Sequence, residues 1–287
     1  MILSALVSTE ILAQHLGDPD WVVLDCRHDL ADPARGRAEY ASSHIPGARF
    51  LHLDDDLSAP KTGKNGRHPL PDPDALGRKL GRAGVDSRTQ VVAYDAQGGM
   101  VAARLWWLLR WLGHWPVAVL DGGWNKWVAE GRPQSAEVPA PRAADFAGRP
   151  DKRWVDAQFV GSHLNDDNVV LLDARAPDRY RGRNETLDPV GGRIPGARNR
   201  CFRDNLDASG RFKPAAVLKG EFTAVLGDAR PERVVHYCGS GVSACHNIFA
   251  MELAGLRGGR LYPGSWSEWC ADTSRPVRSG EPRPGER

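Results

Sequence analysis

Short apolar runs rich in β-branched residues alternate along the chain with longer segments of helical periodicity. Residues 234–237 form one such run, which predicts a buried strand, and residues 243–254 have the pattern of a helix that ends at Gly255. The same alternation extends through both halves of the chain. It predicts an α/β fold in which each domain has a mainly parallel sheet flanked by helices.

Four segments of the first half return in the same order in the second half. Residues 22–27 recur as 170–175, 44–49 as 193–198, 91–95 as 234–238, and 120–127 as 262–269. Chance does not readily produce four matches in one order, so the sequence predicts two copies of one domain.

The copies are separated by a stretch without apolar periodicity. Residues 131–153 are rich in Pro, Ala and Arg, which is typical of a linker. We therefore expect an N-terminal non-catalytic domain over residues 1–132, a linker over 133–153 and a C-terminal catalytic domain over 154–287.

A glycine-spaced loop that begins with Cys238 joins the predicted strand and helix of the second copy. Gly239 and Gly241 allow backbone N–H groups to curl around the sulfur, and the helix that follows adds its N-terminal dipole. That environment favours thiolate over thiol. A cysteine that only fills space needs neither glycine, so we interpret Cys238 as a nucleophile. Its place after a strand is where active sites of parallel sheets lie.

The other cysteines lack this context, and the first copy lacks the nucleophile. Cys26, Cys201 and Cys270 are interpreted as small buried hydrophobic residues. Cys245 lies two helical turns beyond Cys238, roughly 10 Å along the axis, which is too far for a direct disulfide.

Asp95 stands in the first copy where the second has Cys238. An aspartate cannot carry a transferable sulfur, so this domain is expected to be structural or to contribute to the cleft. The helix predicted over residues 101–112 has apolar residues around nearly its whole circumference, which indicates burial on several sides.

Composition excludes several classes of function. The formal net charge of +2 gives no electrostatic case for nucleic acid, and no apolar stretch approaches the roughly 20 residues of a membrane helix. Residues 1–16 lack the features of a signal peptide. Five cysteines without an export signal fit unbridged thiols in a reducing compartment, so a cytoplasmic location is expected. No pair of cysteines has zinc spacing, and neither a metal nor a cofactor is expected.

Together, these features resemble the two-domain rhodanese (sulfurtransferase) family, over residues 6–269. The resemblance implies two tandem rhodanese-like domains and sulfur transfer through a persulfide on Cys238. The loop is similar to that of the 3-mercaptopyruvate sulfurtransferase branch, because the thiosulfate branch usually has an Arg-Lys pair where this chain has Gly239 and Ser240. Two cations would suit a compact dianion, whereas a neutral loop suits a donor whose carboxylate is held by an arginine farther away.

The resemblance also implies roles for individual side chains. Arg179 matches the family arginine that holds the substrate carboxylate or carbonyl. Arg183 is a candidate for the second substrate arginine, because the family's Pro-Glu-Pro-Arg context is absent here. Asp54 and His68 match by context an aspartate and a histidine that face a loop hydroxyl, here that of Ser240. A surface position is an equally open reading of His68.

The expected reaction has two halves. Cys238 takes sulfur from 3-mercaptopyruvate and releases pyruvate, and an acceptor (a small thiol, thioredoxin or cyanide) then removes the sulfur. The substrate-binding set is completed by the loop residues Gly239, Gly241, Val242 and Ser243.

Other readings remain open at this point. A thiosulfate:cyanide sulfurtransferase shares scaffold and nucleophile, and a persulfide carrier or regulatory binding module would keep the loop without turnover. A cysteine phosphatase or arsenate reductase needs an arginine six residues after the cysteine, where this chain has Ala244. Arg175 and Arg181 are either salt-bridging scaffold or ligands, and Arg175 is expected to anchor the end of its strand.

Overall fold

The computed structural model of the protein describes residues 3–140, 143–164 and 166–281. The expected domain ends at residues 1–2 and 282–287, and residues 141–142 of the expected linker, lie outside the described residues. The chain divides into two compact units. The first takes its residues from Met1–Ala59, Pro71–Asp151 and Ala208–Phe212, and the second from Pro60–Leu70, Lys152–Asp207 and Lys213–Arg287.

The first unit contains a five-stranded sheet in the order β1-β5-β4-β2-β3, and all its strand pairs are parallel. Its strands are β1 (Leu6–Val7), β2 (Trp21–Asp25), β3 (Arg49–Phe50), β4 (Gln90–Tyr94) and β5 (Val117–Leu120). Every residue of β4 and β5 is buried, which is how continuous apolar runs behave in parallel sheets covered on both faces.

The helices of the first unit are α1 (Thr9–Gln14), α2 (Arg35–Ser42), α3 (Pro73–Arg82), α4 (Met100–Trp111) and α5 (Gly123–Ala129). Helix α3 begins where the Asp72 carboxylate accepts the N–H of Ala75, with Pro73 in the first helical position. Every residue of α4 is buried, which confirms the predicted helix and its burial on several sides.

The second unit contains a four-stranded parallel sheet in the order β7-β6-β8-β9. Its strands are β6 (Val170–Asp173), β7 (Arg198–Asn199), β8 (Val234–Tyr237) and β9 (Arg260–Leu261). Strand β8 coincides with the predicted strand. Trp154 adds a single parallel bridge to Leu261, beside β9, as β1 lies beside β5 in the first unit.

The helices of the second unit are α6 (Ala157–Ser162), α7 (Pro177–Tyr180), α8 (Ala215–Leu226), α9 (Ser243–Leu253) and α10 (Ser265–Trp269). Helix α9 ends next to the predicted stop, because Gly255 takes a φ of +76° and the N–H of Leu256 turns back to the carbonyl of Met251 at 2.8 Å. Across the described ranges, no helix has both the length and the apolar content that crossing a bilayer requires.

The two sheets share one strand order, since β5-β4-β2-β3 corresponds to β9-β8-β6-β7. This correspondence confirms the duplicated α/β domain. Each sheet has its own core. Buried residues of the first core include Val7, Leu12, Ile45, Val92, Tyr94, Leu120 and Trp127. Those of the second include Val160, Leu171, Ile194, Val235, Tyr237, Trp266 and Trp269.

Candidate active site

The loop that begins with Cys238 follows the carboxyl end of β8. Cys238 is 2% exposed, and its sulfur accepts the N–H of Gly241 at 3.1 Å. Gly241 has a φ of +79°, and a β-carbon there would lie 2.5 Å from the carbonyl oxygen of Pro263. Only glycine fits this turn without displacing backbone. The main chain therefore curls back over the cysteine sulfur, as the glycine spacing predicted.

Backbone hydrogen bonds fix the loop against α10. The N–H of Trp266 donates to the carbonyl of Cys238 at 2.9 Å, and the N–H of Ser267 donates to the carbonyl of Gly239 at 2.9 Å. On the other side of the loop, Val242 precedes α9 directly. The first residue of α9 is Ser243, so the N-terminus of this helix adjoins the cysteine loop.

Ser265 contacts the backbone of the cysteine loop, and the sequence analysis did not single it out. It has a φ of +54°, a conformation that residues with a β-carbon rarely adopt. Its Oγ accepts the N–H of Cys238 at 3.1 Å and donates to the carbonyl of Tyr262 at 2.9 Å. The equivalent residue of the first copy is Gly123, also at +54°. In the sequence, the serine at the position equivalent to that glycine was the one indication that residue 265 has a particular role.

Ser240 and His68 form a buried pair in the second unit. Nδ1 of His68 lies 2.7 Å from Oγ of Ser240, and both residues are buried. Residues 60–70 belong to this unit, and the N–H of Arg67 donates to Oγ of Ser267 at 3.0 Å. The structure thus brings together the hydroxyl and the imidazole that the sequence paired, and His68 is not a surface residue.

Asp54 lies in the first unit, with Oδ2 4.0 Å from Nε2 of His28. Its role beside His68 stays a prediction. Ligand atoms of His28, His52 and Asp54 lie within 4.8 Å of one another. His52, however, accepts the N–H of Asp55 at Nδ1, at 3.2 Å, and its Nε2 lies 2.9 Å from the carbonyl of Pro33. With Nδ1 accepting and Nε2 donating, His52 has no nitrogen lone pair for a metal.

Arg179, in α7, is held beside the loop by two carboxylates. Its Nε and Nη2 donate to Glu185 at 3.0 and 2.7 Å, and Nη2 lies 3.6 Å from Asp188. Burial of Glu185 opposes its ionisation, but the hydrogen bonds from Arg179 hold the pKa of Glu185 below its usual range. A β-carbon on Gly239 would lie 3.6 Å from Nη2 of Arg179. The guanidinium therefore lies next to the residue that follows the nucleophile.

Arg67 is a second arginine at the same place, and the sequence analysis did not identify it. A β-carbon on Gly239 would lie 2.7 Å from Nη2 of Arg67, and Nη1 pairs with Asp188. Its adjacency to His68 was the one available signal.

Arg183 is exposed, unlike Arg67 and Arg179. Two-thirds of its side chain (66%) is accessible, and Nη2 lies 3.6 Å from Glu281. Arg181 also pairs with Glu281, at 2.7 Å. Within residues 166–281, the contacts of Arg183 include none with the cysteine loop. Its role as a substrate ligand stays a prediction.

Arg175 anchors the end of β6, as expected. Its Nη2 donates to Asp173 at 2.7 Å and to the carbonyl of Gly192 at 2.6 Å. The guanidinium lies 4.7 Å from the ring centroid of Trp266. Burial disfavours its charge, but the carboxylate of Asp173 more than compensates and raises the pKa of Arg175. Arg175 is therefore scaffold.

All five cysteines lie in the described residues and are unbridged thiols. Burial raises the pKa of Cys26 and Cys201 above the usual range, and that of Cys270 to about 11. Sγ of Cys245 lies 3.2 Å from the carbonyl oxygen of Gly241. Burial of Cys26, Cys201 and Cys270 agrees with their interpretation as small buried residues.

The equivalent loop of the first unit closes around a carboxylate of its own. Oδ1 of Asp95 accepts the N–H groups of Gln97 and Gly99, both at 2.8 Å. Oδ2 accepts those of Val101 and Ala102, at 2.8 and 2.9 Å. A cleft of about 560 Å³ beside this loop is lined in part by Gln97 and Trp124. Two N–H groups of this loop and two of the first turn of α4 are thus already used.

Known proteins resemble the chain over most of its length. Residues 8–130 and 156–272 match the family model described as "Rhodanese-like domain". A "Probable 3-mercaptopyruvate sulfurtransferase" of Pseudomonas aeruginosa is 48% identical over 98% of this chain and 100% of that protein. The human 3-mercaptopyruvate sulfurtransferase is 34% identical over 92% of this chain and 91% of that protein. The mouse thiosulfate sulfurtransferase is 32% identical over 100% and 98%, respectively.

Solved structures have the same fold. The 3-mercaptopyruvate sulfurtransferase of Leishmania major superposes with a TM-score of 0.83 at 28% identity, over 93% of this chain and 74% of that one. The Escherichia coli 3-mercaptopyruvate sulfurtransferase gives a TM-score of 0.79 at 27% identity, over 91% and 98%. With two matched domains, a duplicated parallel sheet and relatives named as sulfurtransferases, the chain belongs to the rhodanese family.

Proposed function

We propose that the protein transfers sulfur from 3-mercaptopyruvate to a thiol acceptor or cyanide through a persulfide on Cys238. The observation that carries the proposal is the loop around Cys238, where a backbone N–H meets the sulfur and arginine side chains lie beside Gly239. The Pseudomonas, human, Leishmania and Escherichia relatives named for 3-mercaptopyruvate support this choice of donor.

In the first half-reaction, the Cys238 thiolate attacks the sulfur of the donor. The carbon–sulfur bond breaks, its electron pair stays with carbon as the enolate of pyruvate, and the sulfur remains on Cys238 as a persulfide. Arg179 holds the donor and stabilises negative charge on the developing enolate oxygen. Arg183 stays in the proposed substrate-binding set, and the kinetics of its Gln variant test that assignment.

A proton is needed to convert the enolate into pyruvate. Ser240 is placed to deliver it, since Nδ1 of His68 lies 2.7 Å from its Oγ and polarises the hydroxyl. Asp54 is proposed to orient His68. The outer sulfur of the persulfide is held by backbone N–H groups of the loop, which runs through Gly239, Gly241, Val242 and Ser243.

In the second half-reaction, a thiol acceptor such as thioredoxin attacks the outer sulfur and regenerates the Cys238 thiolate. A thiol acceptor and five unbridged cysteines suit a reducing compartment, so we propose that the protein acts in the cytoplasm. We also keep the domain bounds proposed from the sequence, 1–132, 133–153 and 154–287, with the nucleophile Cys238 in the last.

Mass spectrometry of the intact protein after incubation with 3-mercaptopyruvate tests the proposal. We expect the wild-type chain to gain one sulfur atom and release one pyruvate, and Cys238→Ser to do neither. Cys245→Ser is the matched control, because this thiol lies near the same loop and should leave the gain unchanged. A sulfur gain that persists in Cys238→Ser would refute the assignment of the nucleophile.

Thiosulfate is the second candidate donor. Two guanidinium groups beside Gly239 offer positive charge to a dianion, and several relatives are named thiosulfate sulfurtransferase. The ratio of kcat/KM for the two donors shows which of them the protein prefers. A preference for thiosulfate would overturn the choice of 3-mercaptopyruvate. A protein that accepts sulfur from neither donor yet binds a partner would instead be a carrier or regulatory module.

A further inference from the structure

We propose that Arg67 is the second arginine of the substrate site and binds the donor carboxylate together with Arg179. This inference rests on the proposed function, because it names the residue that recognises the anionic end of that donor. It assigns a binding role to residues 60–70, a segment that the sequence places in the first copy and the structure in the second unit.

Both guanidinium groups converge on Gly239, the residue after the nucleophile. A β-carbon at this position would lie 2.7 Å from Nη2 of Arg67, 3.6 Å from Nη2 of Arg179 and 3.8 Å from Nη1 of Arg179. Any larger side chain at position 239 would occupy the space between the two cations. Glycine therefore leaves free a space that is close to both guanidinium groups and directly follows the nucleophile.

Two carboxylates orient these arginines and leave one edge of each available. Arg67 uses Nη1 for Asp188, and Arg179 uses Nε and Nη2 for Glu185. Of the Nη atoms, those left without a carboxylate partner in the described residues are Nη2 of Arg67 and Nη1 of Arg179, and both lie near Gly239. Two N–H edges from two arginines match the two oxygens of one carboxylate.

The exposure of the side chains agrees with this assignment. Asp188 is 3% exposed, whereas Arg67 and Arg179 are 26% and 22% exposed. The carboxylate that positions the arginines is thus buried, and the arginines themselves remain partly accessible to a small ligand. Arg183 is 66% exposed and pairs with Glu281, so it lacks this preorganisation.

Steady-state kinetics with 3-mercaptopyruvate test the role of Arg67. Arg67→Gln should raise KM by about tenfold or more, the usual loss for a charge-assisted hydrogen bond, with a smaller fall in kcat. Arg67→Lys should restore part of the affinity, because it keeps the charge but not the planar donor edge. Arg257→Gln, which removes an exposed charge from the same unit, should leave KM unchanged.

An unchanged KM in Arg67→Gln would overturn the proposal, as would a larger effect of Arg183→Gln. Thermal denaturation of each variant identifies any loss of folding. If Arg67→Gln fails to fold, the KM of Arg67→Lys decides, because a value equal to that of the wild type would equally refute the assignment.

Alkylation of Cys238 gives a readout that does not depend on sulfur transfer. Iodoacetate carries a carboxylate and iodoacetamide does not, while both react with the same thiolate, so their rate ratio reports guidance of an anion to the sulfur. Arg67→Gln should lower this ratio by about tenfold or more, the factor expected for KM. An unchanged ratio refutes the role of Arg67 even in an active enzyme. If the wild-type protein forms no persulfide with 3-mercaptopyruvate but the rate ratio falls in Arg67→Gln, the proposed donor is wrong. The assignment of Arg67 to an anion-binding site is then still supported.

Discussion

Ser265 forms a hydrogen bond with the main chain of Cys238, and its own backbone has an unfavourable conformation. Its φ of +54° is one that serine rarely adopts, and its Oγ satisfies the buried N–H of Cys238. Strain at this residue is therefore offset by a hydrogen bond to the backbone of the nucleophile. Gly123 has the same φ in the first unit without strain.

Substitution of Ser265 separates the hydrogen bond from the strain. Ser265→Ala keeps the β-carbon and removes the acceptor, which should lower the free energy of unfolding by about 1–3 kcal/mol. Ser265→Gly removes the same acceptor but relieves the backbone, so its loss should be smaller by about 1 kcal/mol. Urea denaturation measures both values. A glycine variant less stable than the alanine variant would show that the conformation is not strained.

His236 makes the stability of the protein sensitive to acid. Its ring is fully buried in β8, neither nitrogen has a hydrogen-bond partner in the described residues, and burial lowers its pKa to about 3. In the unfolded chain this histidine binds a proton as the pH falls below about 6.5, whereas in the folded chain its ring stays neutral until the pH nears 3. Stability should therefore be unaffected above that pH and fall as the pH drops from about 6.5 towards 3, by at most about 1.4 kcal/mol per pH unit.

The pH dependence of the urea midpoint tests this effect. His236→Leu should flatten the profile between pH 6.5 and the acid limit of folding, because the variant has no group there to protonate. His163→Gln, which changes a partly exposed histidine, serves as the control and should keep the wild-type slope. Equal slopes in the wild type and His236→Leu would assign the acid sensitivity to other groups.

Local pattern revealed some site residues and not others. The glycine spacing of one loop indicated Cys238 directly, and the family resemblance indicated Ser240 in the same loop. Arg67 meets Asp188, which is 121 residues away, and no periodicity encodes such a pairing. Arg183 was a candidate because the family's Pro-Glu-Pro-Arg context is absent from this chain, and its side chain pairs with Glu281.

At the level of elements, the segment 60–70 carries two side chains of the candidate site, but no apolar periodicity predicted where it lies. Strand β8 and helix α9 were predictable because apolar periodicity is a local property. The segment 60–70 has no such period, yet it delivers Arg67 and His68 to the second unit. Gly66 lies where the segment approaches α10, since a β-carbon there would be 2.7 Å from the carbonyl oxygen of Gly264.

Two glycines of this segment form a matched pair for testing its position. Both have positive φ, +83° at Gly66 and +79° at Gly63, but a β-carbon on Gly63 would meet nothing within 4 Å. Gly66→Ala should push the segment away from Gly264, separate His68 from Ser240, and lower kcat for pyruvate release by about tenfold or more. Gly63→Ala carries the same backbone penalty and should leave kcat near the wild-type value. Equal effects of the two would mean that backbone strain, not position, matters.

On the scale of the whole chain, duplication was readable from the sequence, whereas the compact units of the structure depend on contacts between distant residues. Four recurring segments in one order predicted the repeated sheet, which the matching strand orders confirm. Contacts between residues far apart in sequence assign 60–70 to the second unit and 208–212 to the first. Because sequence order does not record such contacts, a contiguous division was the natural expectation.

The equivalent loops of the two copies direct their backbone N–H groups at different side chains. After β4, four N–H groups bind the carboxylate of Asp95, and after β8 an N–H group meets the sulfur of Cys238. Asp95 therefore supplies an internal acceptor to the N–H groups of the first unit, whereas the second loop directs an N–H group at the sulfur of Cys238. The first loop should contribute mainly to stability and the second mainly to chemistry.

Alanine substitutions at the two equivalent positions test this division. Asp95→Ala leaves four N–H groups without their acceptor, three of them in the buried residues Gly99, Val101 and Ala102. It should lower the free energy of unfolding by about 3 kcal/mol or more. The folded variant should still gain one sulfur atom at Cys238. Cys238→Ala should abolish that gain and cost less stability, because only one described N–H meets the sulfur. Urea midpoints measure the stability of each variant, and intact masses measure the sulfur gain. Similar stability losses at the two positions would contradict the division. The carboxylate with four donors would then contribute no more to the free energy of unfolding than the thiol with one.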